Sequence, residues 1–248
     1  MKKKIVIVGA TSTLAELCAR EWIEQKDMEL FLVGRDFDRL HDIAQDLKVR
    51  APENLVEVHT ANFEEPESIQ KLADSMCAQG CPHVVLIAHG SLPKQETCQN
   101  NLSVCKNAME INAISPVLFA EAFAQHMDKA DAGTLAIIGS VAGDRGRQSN
   151  YVYGAAKGLV TRYAQGLQHR FYGRNIKVVL IKPGPTDTKM TAELKKAGAK
   201  LADASSVAKA IVKGIAAGKP VLYVPIKWKL VMMVIRHIPH FIFGRMRI

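Results

Sequence analysis

Short apolar runs recur at Ile5–Val8, Leu30–Val33, Leu55–Val58, Val84–Ala88, Leu135–Gly139, Val178–Ile181 and Val221–Val224, separated by longer stretches of helical period. Continuous Val/Ile/Leu runs mark strands buried on both faces, and parallel strands need helical crossovers. The alternation predicts an α/β fold: a Rossmann-type, doubly wound parallel sheet of about seven strands with helices on both faces. No repeat, low-complexity tract or Pro/Gly/Ser-rich linker interrupts it, so one catalytic domain is expected over residues 1–225. Composition changes after Pro225, setting residues 226–248 apart as a basic, amphipathic C-terminal appendage.

The length of 248 residues suits one such domain, and 48% hydrophobic with 23% charged residues excludes a disordered chain. Five cysteines, Cys18, Cys77, Cys81, Cys98 and Cys105, form an odd set without zinc-type pairing. Reduced thiols in a cytoplasmic protein, and no metal site, are expected. Lys2 to Lys4 precede an apolar stretch too short for a signal peptide, which reads instead as a buried strand. No apolar run approaches the roughly 18 residues of a spanning helix. The net charge of +9 suits nucleic acid, anionic lipid or a phosphorylated ligand. Because the basic residues are dispersed outside the tail and no recognition motif is present, no nucleic-acid partner is expected.

The first strand runs into Gly9-Ala10-Thr11-Ser12-Thr13-Leu14-Ala15, followed by an amphipathic helix through Leu17 and Trp22. Small residues at such a turn let the backbone approach a pyrophosphate, whose charge is favoured at a helix N-terminus. Gly9, Thr11, Ser12, Thr13 and Leu14 are therefore the candidate phosphate loop, although Thr13 and Ala15 stand where further glycines are usual. The second strand ends Leu32-Val33-Gly34-Arg35. An acidic residue there would bond an NAD ribose, whereas a small residue followed by arginine suits a 2′-phosphate, so NADP(H) is favoured over NAD(H). A solvated charge beside Asp36 and Asp38 is the competing reading of Arg35.

The fifth strand delivers Ser140 at its C-terminal end, where ligand sites of open α/β sheets lie, and Tyr153 and Lys157 follow. Residues four apart share a helix face. A phenol ordinarily titrates at about pH 10 and needs a nearby cation before its anion is accessible near neutrality, and Lys157 would supply it. Ser140 would then bond a carbonyl oxygen while Tyr153 donates the proton. Tyr151 lacks a lysine at the matching spacing and is assigned to the substrate-pocket wall.

The order of phosphate turn, Asn112, Ser140, Tyr153-Gly154-Ala155-Ala156-Lys157 and Pro183-Gly184 resembles the short-chain dehydrogenase/reductase family along nearly the whole chain. The resemblance implies that Ser140 orients the substrate, Tyr153 is the acid or base, Lys157 binds nicotinamide ribose and tunes the tyrosine, and Asn112 supports a proton relay. It also implies that Pro183, Gly184, Thr186 and Thr188 belong to a cofactor-covering segment, that Asn62 contacts adenine, and that the chain forms a homodimer or homotetramer. One departure follows the fourth strand: Ala88-His89-Gly90-Ser91-Leu92-Pro93 replaces the family's Asn-Ala-Gly type turn. Ala88 and Gly90 are expected at the cofactor, while His89 is open between a hydrogen-bonding replacement, a substrate contact and a structural histidine.

The tail combines Lys227, Lys229, Arg236, Arg245 and Arg247 with apolar residues and contains no acid. Such a composition suits a membrane interface, with Trp228, Leu230, Val231, Val234, Ile235 and Phe241 in the acyl boundary. Packing in a dimer interface or over the active site is the other reading. With the imperfect glycine loop and the unusual turn after the fourth strand, it gives a looser resemblance to reductases of polyprenyl-phosphate-linked keto sugars. The expected function is NADP(H)-dependent reduction of a ketone, on a lipid-linked keto sugar or other anionic substrate, in the cytoplasm or at the inner face of a membrane. A 3-oxoacyl-thioester reductase and a noncatalytic NADP-sensing protein are the alternatives.

Overall fold

The computed structural model describes residues 2–246; Arg247, counted above among the basic residues of the tail, lies outside them. Seven parallel strands form one sheet: β1 (Lys3–Val8), β2 (Met28–Gly34), β3 (Leu55–Thr60), β4 (Val84–Ile87), β5 (Gly133–Ile138), β6 (Ile176–Pro183) and β7 (Val221–Val224), in the order β3-β2-β1-β4-β5-β6-β7. Each apolar run overlaps one strand, and the register pairs like with like: Ile5 opposes Leu30 and Val84, and Ile7 opposes Leu32 and Leu86.

Strand periodicity of two sends alternate residues to opposite faces. Ile5, Ile7, Leu30, Leu32, Val84 and Leu86 therefore pack under α1 (Thr13–Ile23), α2 (Phe37–Arg50) and α9 (Ala204–Ala216). Val6, Val8, Val33, Val85 and Ile87 pack under α3 (Pro66–Cys77), α6 (Ser115–Ala130) and α7 (Tyr151–Arg170). Burial on both faces explains why these strands read as unbroken apolar runs.

Several helices start where the sequence offers a cap. Ser12 Oγ accepts from Ala15 N at the head of α1, and Asp36 Oδ1 accepts from Arg39 N at the head of α2. Between β4 and β5 the chain forms two short helices, α4 (Gln95–Asn100) and α5 (Leu102–Met109), and then a π-helical turn over Glu110–Ile114 before α6. A 3₁₀ turn over Val141–Asp144 follows β5, and another over Lys189–Thr191 leads into α8 (Ala192–Lys196). After β7 come α10 (Lys227–His237) and α11 (His240–Phe243). Met232 of α10 is fully buried, and Arg145 Nη1 donates to the carbonyls of Ile235 and Ile238 at 2.5 and 2.6 Å. The Arg145 guanidinium also lies 3.7 Å from the Phe243 ring centroid, so the tail is tied to the loop after β5. No helix among the described residues is long and apolar enough to cross a membrane.

The sheet order reverses between β1 and β4. In open α/β sheets a crevice opens at such a switch point, beyond the C-terminal strand ends.

Candidate functional site

A cleft of about 540 Å³ lies along those strand ends. Its nucleotide end is built by Gly9, Thr11, Ser12, Thr13 and Leu14. Gly9 has φ +79°, and a methyl group there would sit 2.6 Å from His89 N, so only glycine allows β1 to turn this close to the chain leaving β4. The first-turn N–H groups of a helix lack intrahelical acceptors, and Ser12 Oγ engages only that of Ala15. An anion at this turn would meet free donors and the positive end of the α1 dipole. Arg35 is exposed on the rim, and Arg39, which the sequence did not single out, lines the cleft beside it. Asp36 is occupied in capping α2.

Asn62, expected at adenine, is adjacent to the lining residues rather than among them. Its Oδ1 accepts from Glu64 N at 3.0 Å, closing a local turn, and it is Phe63 and Glu64 that reach the cleft wall.

Ser140, Tyr153 and Lys157 converge at the other end with Ala88, Gly90, Pro183, Gly184, Thr186 and Thr188. Ser140 caps the 3₁₀ turn, its Oγ accepting from Ala142 N at 3.1 Å, which leaves the hydroxyl proton for another acceptor. Burial pushes the Tyr153 phenol above its usual range, while a hydrogen bond with Ser140 acts in the opposite sense. Lys157 is 2% exposed; burial lowers its ammonium to about 8, and Nζ donates to Ile138 O at 3.1 Å. Nζ also lies 5.9 Å from the Tyr153 ring centroid, placing a cation beside the phenol. The 3₁₀ turn presses onto α7 so closely that a methyl group at Gly143 would lie 2.6 Å from Lys157 O.

Asn112 lies behind the cleft rather than in its lining. It is fully buried in the π-helical turn, where Oδ1 accepts from Ser91 N at 2.9 Å and Nδ2 donates to Ala108 O at 2.8 Å. A π-turn adds a residue to the helix and leaves a carbonyl free of its usual partner. Between Asn112 and Lys157 stands Gly90: a methyl group there would be 2.8 Å from Asn112 Oδ1 and 3.5 Å from Lys157 Nζ. The departure after β4 thus keeps a glycine where a side chain would separate these two residues.

The His89 ring packs edge-on against Phe63 and Phe119, with centroids 4.8 and 5.6 Å away, and Nε2 pairs with Ser115 Oγ at 3.0 Å. Nδ1 is buried without a partner. Burial, reinforced by Lys157 and Arg35, drives its pKa down to about 3. It is a neutral, packed imidazole.

Thr186 Oγ1 donates to Gly184 O at 2.9 Å, and Thr188 N donates to Thr191 Oγ1 at 3.1 Å, so this segment is braced by its own hydroxyls. A methyl group at Gly184 would lie 2.0 Å from Trp228 Nε1. Trp228, expected in a lipid face, is therefore turned inward against the Pro183–Gly184 turn. Tyr151, expected as a pocket wall, is absent from the lining and 44% exposed: two helical residues before Tyr153, it points nearly the opposite way. Sequence reasoning also missed a buried ion pair with a half-buried tyrosine on it. Asp144 pairs with Lys182 Nζ and accepts from Tyr223 Oη at 2.7 Å, tying the loop after β5 to β6 and β7. The sequence separation of these residues, on a loop and two strands, left no local signal.

Residues 3–199 match the family model described as short chain dehydrogenase. An uncharacterized oxidoreductase of Mycobacterium tuberculosis is 27% identical over 245 residues, covering 98% of this chain and 96% of that protein. A second, from Streptomyces coelicolor, is 26% identical over 247 residues, with coverage of 98% and 96%. Among solved structures, a short-chain dehydrogenase from Burkholderia cenocepacia in complex with NADP superposes with a TM-score of 0.82 at 15% identity, covering 98% of this chain and 97% of that one. One from Sphingobium yanoikuyae in complex with NADPH gives 0.81 at 20% identity, with coverage of 96% and 97%.

Proposed function

The chain belongs to the short-chain dehydrogenase family and is an oxidoreductase of that type, and from that premise we propose that it reduces a ketone to a secondary alcohol with NADP(H) as the favoured cofactor. The observation that carries this reading is the convergence of Ser140, Tyr153 and a buried Lys157 cation at one end of a cleft whose other end is a helix N-terminus flanked by Arg35 and Arg39. NADPH bound in this cleft supplies the hydride. The Gly9–Leu14 turn receives its pyrophosphate, and the guanidinium of Arg35 receives the 2′-phosphate.

The remaining chemistry belongs to the chain. Ser140 donates a hydrogen bond from its hydroxyl to the carbonyl oxygen and keeps its proton. Tyr153 transfers its proton to that oxygen as negative charge develops, and the Lys157 cation stabilises the phenolate left behind. Asn112 holds the Gly90–Ser91 backbone against Lys157, a positioning role. Substrate turnover measured by NADPH consumption tests the assignment. Tyr153→Phe should retain NADPH affinity and lose about two to four orders of magnitude in rate. Undiminished turnover in that variant would sink it.

The tail extends the reading. Ile226, Leu230, Val234 and Phe241 are all more than 60% exposed, and Lys227, Lys229, Arg236 and Arg245 flank them with no acid in residues 226–246. This face docks on anionic lipid at the cytoplasmic surface of a membrane and brings the cleft to a lipid-linked ketone such as a polyprenyl-linked keto sugar. Sedimentation with anionic but not neutral vesicles is expected, and Lys227→Glu with Lys229→Glu should abolish it. Equal binding to both vesicle types would contradict the proposal. The unit of function is a homodimer or homotetramer, and light scattering that returned a monomer mass would overturn that assignment.

A further inference from the structure

The loop between β5 and α7 carries two arginines with different fates. Arg145 is spent on the tail, donating to Ile235 O and Ile238 O. Arg147, beyond Gly146, lines the cleft instead. Its Nε is buried without a partner, and among the described residues its guanidinium makes no ion pair. Three residues further on, Asn150 also lines the cleft, and its Oδ1 is buried and unpartnered. Arg147 is half-buried, and its buried Nε and the buried Asn150 Oδ1, each without a partner, cost free energy, so a fold retains them where a ligand completes them.

The charges around Arg147 define that ligand. Burial lowers its pKa, and among the described residues the acid acting to restore it is Asp144. That carboxylate is already held by Lys182 and Tyr223. The acids that line the cleft, Asp36 and Glu64, belong to the segments after β2 and β3 at the nucleotide end. The charged groups lining the Tyr153 end are Lys157, Arg147 and Lys189, all cationic.

We propose that Arg147 and Asn150 form an anion subsite for the carbonyl substrate, so that the ketone reduced here carries a carboxylate or phosphate ester beside a hydroxyl. The assignment rests on the reductase reading above. The planar guanidinium offers paired donors to such an anion, and Asn150 Oδ1 accepts a hydrogen bond from a hydroxyl of the same molecule. Holding the anion on the loop that leads directly into α7 fixes the carbonyl relative to Tyr153.

The test is calorimetric titration of the NADP-saturated protein with phenyl phosphate, benzoate and benzyl alcohol, for the wild type, Arg147→Gln and Arg147→Lys. At least one anion should bind about tenfold or more tightly than benzyl alcohol, and which one does so identifies the charged group. Arg147→Gln should remove about tenfold to a hundredfold of that affinity, the range for a charge-assisted hydrogen bond, and Arg147→Lys should restore part of it. NADPH affinity, followed by fluorescence, should stay within about twofold in both variants. No preference for an anion in the wild type overturns the subsite even if a variant fails to fold. Anion affinity unchanged in a folded Arg147→Gln protein overturns it equally, as does a loss of NADPH affinity, which would assign Arg147 to the cofactor. Failure of the wild type to bind NADPH strikes the reductase reading instead.

Discussion

Replacing Lys157 with methionine should make the protein without nucleotide more stable at neutral pH while disabling it. Lys157 is 2% exposed, and burial lowers its pKa from 10.5 to about 8. A difference of about 2.5 units corresponds to about 3 kcal/mol by which the native state disfavours the charged form. The unfolded-state pKa lies above the folded one, so at pH 7 the lysine is charged in both states and the whole penalty applies. As pH rises through about 8 the native lysine deprotonates first, the unfolded state binds more protons, and stability rises until the penalty disappears above about 10.5. Methionine removes the charge but forfeits the bond to Ile138 O, worth about 1 kcal/mol. Lys157→Met should therefore gain about 2 kcal/mol at pH 7, and the gain should shrink and turn to a small loss near pH 10.5. Urea unfolding of both proteins at pH 7, 8, 9 and 10 reads this difference directly. A variant less stable than wild type by the same amount at every pH would refute the argument that the site holds a buried cation at the expense of stability.

Three further outcomes follow from the same geometry. The kcat/KM for carbonyl reduction should fall as pH rises through about 8, because Lys157 loses in the free enzyme the proton that supports the Tyr153 phenolate; a flat profile from pH 7 to 9 would contradict this. Gly90→Ala places a methyl group 2.8 Å from Asn112 Oδ1, and should lower stability by about 1–3 kcal/mol and reduce turnover in proteins that still bind NADPH; wild-type behaviour in melting and rate would reject the proposed positioning role. Asp144→Ala leaves Lys182 buried without its partner and should destabilise the protein by about 3–5 kcal/mol, measured by denaturant unfolding, whereas a loss below about 1 kcal/mol would mean that the pair is solvated.

Much of the fold was legible because burial on both faces leaves a direct trace. Val84 to Ile87 is apolar at every position because Val84 and Leu86 face one helical layer and Val85 and Ile87 the other. The strand β5 was read two residues late at its start, since Gly133 and Thr134 pair with β6 through backbone groups that impose no apolar pattern. In the site, residues whose role depends on local spacing were readable: Gly9 at its turn, and Tyr153 with Lys157 on one helix face. Residues whose role depends on distant segments were not. Arg147 gains meaning from the engagement of Asp144 by Lys182 and Tyr223, and Trp228 from its contact with Gly184. Composition alone sent Trp228 to a lipid face, whereas packing against a turn 44 residues earlier in the chain draws it inward. Asn62 combines both kinds of signal: the family pattern gives its position, while its side-chain oxygen closes a local turn.

The most direct test of the account is fluorescence titration of the purified protein with NADPH and NADH, repeated with NADPH on Arg35→Ala. Saturable binding that favours NADPH, weakened about tenfold or more when the Arg35 guanidinium is removed, is the expected result. Equal affinity for the two nucleotides, or NADPH binding indifferent to Arg35, would contradict NADP(H) preference, and absence of binding by either would contradict the reductase itself.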